Sequence, residues 1–337
     1  MLTSEQHQFT DAHQAIEFYF KQGWTDGLPI VPPTPDLIKK FIGHSGYTSD
    51  QIIGEEPVKG RTVTIEKAAI NSVMAGCIPE YFPIIIAATK AILESEFCLH
   101  GVTASTMGAG VLSIIDGPIV DKLSINSEVS TFGPGHRANA TIGRAIRLII
   151  INATGSKSGE LDKATLGHPG KYTWCIAENT KGSPWVSLGK EKGFGELKSS
   201  ITVFAGLSSI QVSNHHSNTP EGILRSFRDA LWATGPNQGE ILIVICPEHA
   251  KIISDSGWSK NDVKEFLHKM TARPDHEWGA GSLPPLGNVP SGDTISSATL
   301  SPDSYNIIVA GGSAGAFSTV IPMWVAGIGS KSVTKEI

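Results

Sequence analysis

Four prolines and two glycines fall within the thirteen residues Gly23-Trp-Thr-Asp-Gly-Leu-Pro-Ile-Val-Pro-Pro-Thr-Pro35. No regular helix or central strand survives such a run, because each proline fixes φ and removes a backbone donor. The stretch must be a rigid extended loop. The same residue types recur in discrete loops at 76–83, 133–135, 167–170, 279–292 and 311–315. Apolar runs with helical or strand period lie between them. The chain is therefore expected to form an α/β body whose glycine- and proline-rich loops mark where backbone approaches a ligand.

Composition narrows the function classes. Hydrophobic residues make up 40% of the 337, charged residues only 18%, and the net charge is −5. A disordered chain is charge-rich, and a nucleic-acid binder carries a basic excess. Both readings are excluded, and no nucleic-acid partner is expected. Few charges remain to coat a monomer, so a homo-oligomer is expected. Cys77, Cys98, Cys175 and Cys246 are scattered, without CxxC spacing, which fits reduced thiols and a cytoplasmic location. The first residues have neither a basic segment nor an apolar run of signal-peptide type. The apolar stretch Phe82–Leu93 is too short to span a bilayer, so no membrane partner is expected.

Periodicity and capping residues place the elements. Phe9, Ala12, Ile16 and Phe20 predict a helix stopped by Gly23, and Thr34-Pro35 opens another. Helices follow over 64–73, from Pro79 to Leu93 and over 137–152, with a buried strand at 111–115. Residues 156–200 have weak periodicity. Strands are predicted at 201–205, 241–245 and 306–310, with helices opened by Thr219, Pro247 and Ser259. These elements divide into an N-terminal helical and proline-rich segment (1–60), a first α/β lobe (61–155), an irregular connector (156–200) and a second α/β lobe (201–337). The lobes are of similar size. Val111–Ile115 followed by Asp-Gly-Pro118 parallels Ile241–Ile245 followed by Cys-Pro247. That parallel suggests an internal duplication, with a site in the cleft between the lobes.

Two stretches carry most of the chemistry. Phe132-Gly-Pro-Gly-His-Arg-Ala-Asn139 runs into a helix, whose N-terminus offers free N–H groups and partial positive charge. Gly135, His136, Arg137, Asn139 and Arg144 are candidates for holding an anion, with Arg147 one turn beyond. His168, Lys171, Tyr172, Cys175 and Glu178 crowd into eleven residues, the density that proton transfer needs. His168, Lys171, Cys175 and Glu178 are therefore candidate catalytic groups. Cys77, at a helix break, is a candidate nucleophile if the following helix lowers its pKa. Asp26 is a candidate base or substrate hook in its rigid loop, and His100, before Gly101, a candidate binding residue. Cys246 stands at a strand end before a helix, a frequent site position in α/β sheets. A buried packing role is the commoner reading for such a cysteine. Adjacent His215 and His216, without HxH, HExxH or CxxC, give no metal site. With no Walker A motif and no GxGxxG after a strand, no cofactor is implied.

Four stretches together resemble a group of bacterial proteins associated with the UGSC (seleno)protein family as companion or fused partner. They are Thr25-Asp-Gly-Leu-Pro-Ile-Val-Pro-Pro-Thr34, Met74-Ala-Gly-Cys-Ile-Pro-Glu-Tyr81, Phe132-Gly-Pro-Gly-His-Arg-Ala-Asn-Ala-Thr-Ile-Gly-Arg144 and Leu166-Gly-His-Pro-Gly-Lys-Tyr172. The resemblance covers most of the chain and implies a whole-chain, enzyme-like family with a separate redox protein as partner. The chain has no Gly-Ser-Cys motif, so it is not itself the redox-bearing protein. It departs from the group's pattern at Ala314 and Ala316, where a His or Lys is expected, which puts a catalytic role for that loop in doubt. Two functions follow as expectations. One is a cytosolic enzyme acting on a small anionic substrate by acid/base or thiol chemistry, of lyase, hydratase or thiol-transfer type. The other is a non-catalytic subunit or ligand-binding partner of a thiol or selenol redox protein.

Overall fold

The computed structural model describes residues 2–195, 197–278, 294–324 and 329–337. The glycine- and proline-rich loop expected at 279–292 lies outside the described residues. Helix α1 (Ala12–Lys21) starts where the Asp11 side chain accepts the Gln14 N–H. Helix α2 (Pro35–Ser45) starts on the Thr34 side chain and stops at left-handed Gly46. A short hairpin, β1 (Ile52–Glu56) and β2 (Arg61–Thr64), leads into α3 (Ile65–Ala75). The almost wholly apolar α4 (Phe82–Ile92) and the short α5 (Leu99–Ala104) precede β3 (Gly110–Asp116). Then come α6 (Ile119–Lys122) and the long α7 (Arg137–Asn152). The connector is irregular except for β4 (Cys175–Ala177), α8 (Leu188–Glu191) and a 3-10 turn at Pro169–Lys171.

The second half holds β5 (Ser200–Gly206), β6 (Ile210–Ser213), α9 (Pro220–Trp232), β7 (Ile241–Ile245), α10 (Pro247–Asp255) and α11 (Lys260–Thr271). The expected capping box on α11 is present, with Ser259 and Asp262 exchanging bonds. A minimal pair, β8 (Arg273–Pro274) and β9 (Ile295–Ser296), precedes β10 (Tyr305–Val309), β11 (Phe317–Pro322) and β12 (Val333–Glu336). Among the described residues no helix is long and apolar enough to cross a membrane.

The strands form two mixed four-stranded sheets, ordered β12-β5-β3-β4 and β10-β7-β11-β6. Side chains on a strand alternate between faces, and here both faces are buried. Leu112, Ile114, Phe204, Leu242, Val244, Ile308 and Ile321 point into one shared apolar layer between the sheets. Ile115, Ile201 and Val203 point the other way, onto a core with α3, α4 and α7. Ile241, Ile243, Ile245, Ile307 and Val309 point onto a core that includes residues of α9, α10 and α11. The result is four layers: helices, sheet, sheet, helices. Burial on both faces explains why these strands read as continuous apolar runs rather than alternating ones.

The two sheets share one plan. Each has a parallel pair at one end, β3 with β4 and β7 with β10. Each then adds an antiparallel strand beside the first of the pair, β5 and β11, and a further antiparallel edge strand. The edge strands are exchanged: β6, which follows β5, closes the second sheet, and β12, which follows β11, closes the first. At the crossing point Gly206 bridges Met323, Leu207 N–H donates to Pro322 and Trp324 N–H donates to Ala205. Residues 201–337 thus supply strands to both sheets rather than forming one lobe, because strand exchange is invisible to local periodicity. Among the described residues, the layer between the sheets is packed with buried apolar side chains where an inter-lobe site was expected.

Candidate active site

Helix α7 carries the arginine face that the seven-residue spacing predicts, but each guanidinium has a structural acceptor. Arg137 donates through Nε and Nη2 to the Gly76 carbonyl at 3.0 and 2.9 Å, closing the C-terminal end of α3. Arg144 grips Asp26 through two bonds of 2.8 and 2.9 Å and also donates to the Pro29 carbonyl at 2.8 Å. The Asp26 side chain is only 3% exposed. This clamp gives Asp26 a structural role and pins the proline-rich loop onto α7. Asn139 is likewise spent, its amide exchanging bonds with the Asn126 N–H and carbonyl. The anion clamp expected from Arg137, Asn139 and Arg144 is therefore not assembled.

The next turn of α7 differs. Arg147 reaches Asp162 at 2.9 Å, and Lys171 binds the same carboxylate at 2.7 Å. Burial raises the Asp162 pKa, but the bonds from Lys171, Arg147 and the Ala164 N–H outweigh it and hold the carboxyl below its ordinary value. Burial lowers the Lys171 ammonium and Asp162 raises it, with a net downward shift. These groups line an open cleft of about 940 Å³ with Lys21, Asp26, Lys157, Glu160, His168 and Tyr172. Counting Arg144 beside its Asp26, five cations face three carboxylates here. Lys21 and Lys157 make no ion pair among the described residues.

His168 sits where this cleft meets a second one of about 410 Å³, lined also by Phe132, Gly133, Thr173, Trp174 and Ser208. Its Nε2 lies 3.2 Å from the Gly206 carbonyl. A carbonyl only accepts, so Nε2 carries the proton and Nδ1 holds the lone pair. Burial lowers the imidazole pKa, the Gly206 carbonyl raises it and the Lys171 charge lowers it, for a net downward shift. The ring stacks edge-on against Trp174, with 5.0 Å between centroids. A neutral imidazole is thus held with one fixed tautomer in a polar cleft.

Cys175 lines the second cleft together with His168, and the remaining candidates lie elsewhere. Cys77 is buried and donates to the Thr141 carbonyl at 3.2 Å. Burial pushes its thiol up to about 12, against the lowering expected from the following helix. Burial drives Cys175 higher still. At both positions burial favours the neutral thiol, the opposite of what an activated nucleophile needs. Glu178, at the end of β4, is buried and lines a separate cleft of about 320 Å³ with His136 and Asn179. Gly135 has the left-handed φ of 113° that its turn requires, and His136 is the exposed N-cap of α7. His100 lies on α5, its Nδ1 buried without a hydrogen-bond partner among the described residues, and it lines neither cleft at His168.

The structure therefore joins His168, Lys171 and Tyr172 with Arg147, and separates them from Glu178, Cys77 and Arg137. Asp162 was not legible in sequence as a site residue. It lies in an irregular loop, and its one signal is that two cations nearby in the fold need a carboxylate. Among the described residues no group of three His, Cys, Asp or Glu side chains is placed to hold a metal ion. In comparison with known proteins, no family model matches the chain and no curated protein matches it.

Proposed function

We propose that the chain is an acid/base enzyme that takes a small organic anion in the 940 Å³ cleft. The observation that carries this reading is the fixed tautomer of His168, which lines the same cleft as the Lys171–Asp162–Arg147 cluster. His168 is the general base, since a neutral imidazole with a lowered pKa keeps its lone pair through neutral pH. The excess of cations supplies the attraction for an anion, and Lys171 is placed to steady developing negative charge. Proton abstraction beside a carboxylate, as in lyase or hydratase chemistry, fits this set. The matching plan of the two sheets supports reading the halves as copies of one unit, of which the first carries this cleft.

The test needs no assigned substrate. Wild-type protein is incubated in D₂O with a panel of small carboxylates, and exchange of C–H for C–D is followed by NMR. Exchange is expected for a subset of the panel, with the acid limb of its pH profile below the ordinary histidine value. His168→Gln should lower the rate by roughly 10²–10⁴-fold with unchanged thermal stability. Full exchange activity in that variant removes His168 from the mechanism.

A further inference from the structure

Helix α10 begins at the end of β7 with Cys246 as its N-cap, and His249 is on its first turn. Cys246 is 3% exposed and His249 is fully buried. Ser318 of β11 ties them together: its hydroxyl accepts the Cys246 N–H at 3.0 Å and lies 2.8 Å from His249 Nδ1. On the far side of the ring, His249 Nε2 lies 3.0 Å from the Asn214 carbonyl. A carbonyl only accepts, so Nε2 keeps its proton and Nδ1 is the basic nitrogen, turned toward Ser318. Burial raises the Cys246 thiol, yet hydrogen bonding to His249 and Ser318 outweighs it and brings the thiol below its ordinary value. Burial lowers His249, but its bond to Cys246 and the thiolate charge raise it on balance. The two shifts have the signs of a thiolate–imidazolium pair, at a helix N-terminus whose dipole favours the anion.

This geometry differs in kind from that of the other buried thiols, for which burial dominates. The glycine-rich loop at 311–315 lies alongside α10, where the Gly315 N–H donates to Glu248 at 3.0 Å. A side chain so nearly covered admits only a reagent of a few atoms.

We propose that Cys246, His249 and Ser318 form a thiol site modified by hydrogen peroxide. The Cys246 thiolate attacks one peroxide oxygen, so that an S–O bond forms and the O–O bond breaks. Sulfur loses two electrons and the peroxide gains them. The departing hydroxide takes the proton of the His249 imidazolium and leaves as water, and Cys246 becomes a sulfenic acid. The site is independent of the His168 cleft.

The four cysteines allow the test to be run on unmodified protein. Native protein is exposed to hydrogen peroxide, quenched and unfolded in denaturant, and the surviving thiols are alkylated with iodoacetamide. Peptide mass spectrometry then reads the oxidised fraction at each cysteine. Cys246 is expected to oxidise about tenfold or more faster than Cys77 and Cys175, and faster than the more exposed Cys98. Oxidation in order of exposure, with Cys98 first and Cys246 no faster than the other buried thiols, overturns the proposal. His249→Gln and Ser318→Ala, each checked by thermal melting, should slow Cys246 by about tenfold and leave Cys98 unchanged. Cys246 rates equal to wild type in both folded variants would equally overturn it.

Discussion

Glu178 is a carboxyl group buried just after β4. It is 1% exposed, its Oε2 accepts the Leu188 N–H at 2.7 Å, and its Oε1 has no hydrogen-bond partner among the described residues. Burial raises its carboxyl to about 8, with Lys260 and the Leu188 N–H only partly opposing this. Lys260 Nζ stands 4.0 Å from Oε1, too far for a hydrogen bond. The folded pKa lies above the unfolded value. The carboxyl is therefore neutral in both states at low pH, and stability falls as pH rises from the unfolded pKa toward about 8. Each pKa unit is worth about 1.4 kcal/mol, so the loss at pH 7 is on the order of 3 kcal/mol. Glu178→Gln keeps an acceptor for Leu188 and removes the titration. It should leave the urea midpoint nearly unchanged at pH 5 and raise it at pH 8. A wild-type midpoint that does not fall across this window would mean that Lys260 holds the carboxylate ionised after all.

At the scale of elements, α7 organises the site through one glycine. A Cβ on Gly143 would come 2.5 Å from Thr173 Oγ1 and 2.6 Å from the Trp174 backbone nitrogen. The loop after His168 lies directly on the helix there, and Thr173 Oγ1 bonds the Ala140 carbonyl at 2.7 Å. In a free helix Gly→Ala gains about 1 kcal/mol. Here the overlap should reverse the sign, and Gly143→Ala is expected to cost about 1–3 kcal/mol in denaturant unfolding. A stabilised variant would show that the loop yields. This contact also marks where sequence reading stops. The caps at Thr34, Thr219 and Ser259 and the apolar strands at 111–115 and 241–245 are local signals, and the helices and strands they announce are present. His168 and Lys171 were legible as a dense polar loop. Their partners were not, because the Arg147–Asp162 pair and the Gly206 carbonyl come from other elements. Cys246 and His249 did carry a local signal, an N-cap and first-turn pair on one helix. It was hidden because a cysteine after a buried strand packs more often than it reacts.

Across the whole molecule, strand exchange and the shared apolar layer decide how the chain unfolds. A chain of 337 residues often comes apart in stages, one domain at a time. Here the first sheet needs β12 from the end of the chain, and the second needs β6, which continues directly from β5. Phe204 lies fully buried in the apolar layer between the sheets. Losing it leaves a cavity that both sheets border, at a cost of about 3–5 kcal/mol. Heat or urea unfolding of the wild type should therefore give one transition, with far-ultraviolet circular dichroism and tryptophan fluorescence coincident. Phe204→Ala should shift that transition as a unit. Two separated transitions, with only one moved by the substitution, would mean that each sheet and its helices stand alone and that the exchanged strands add little to cooperativity.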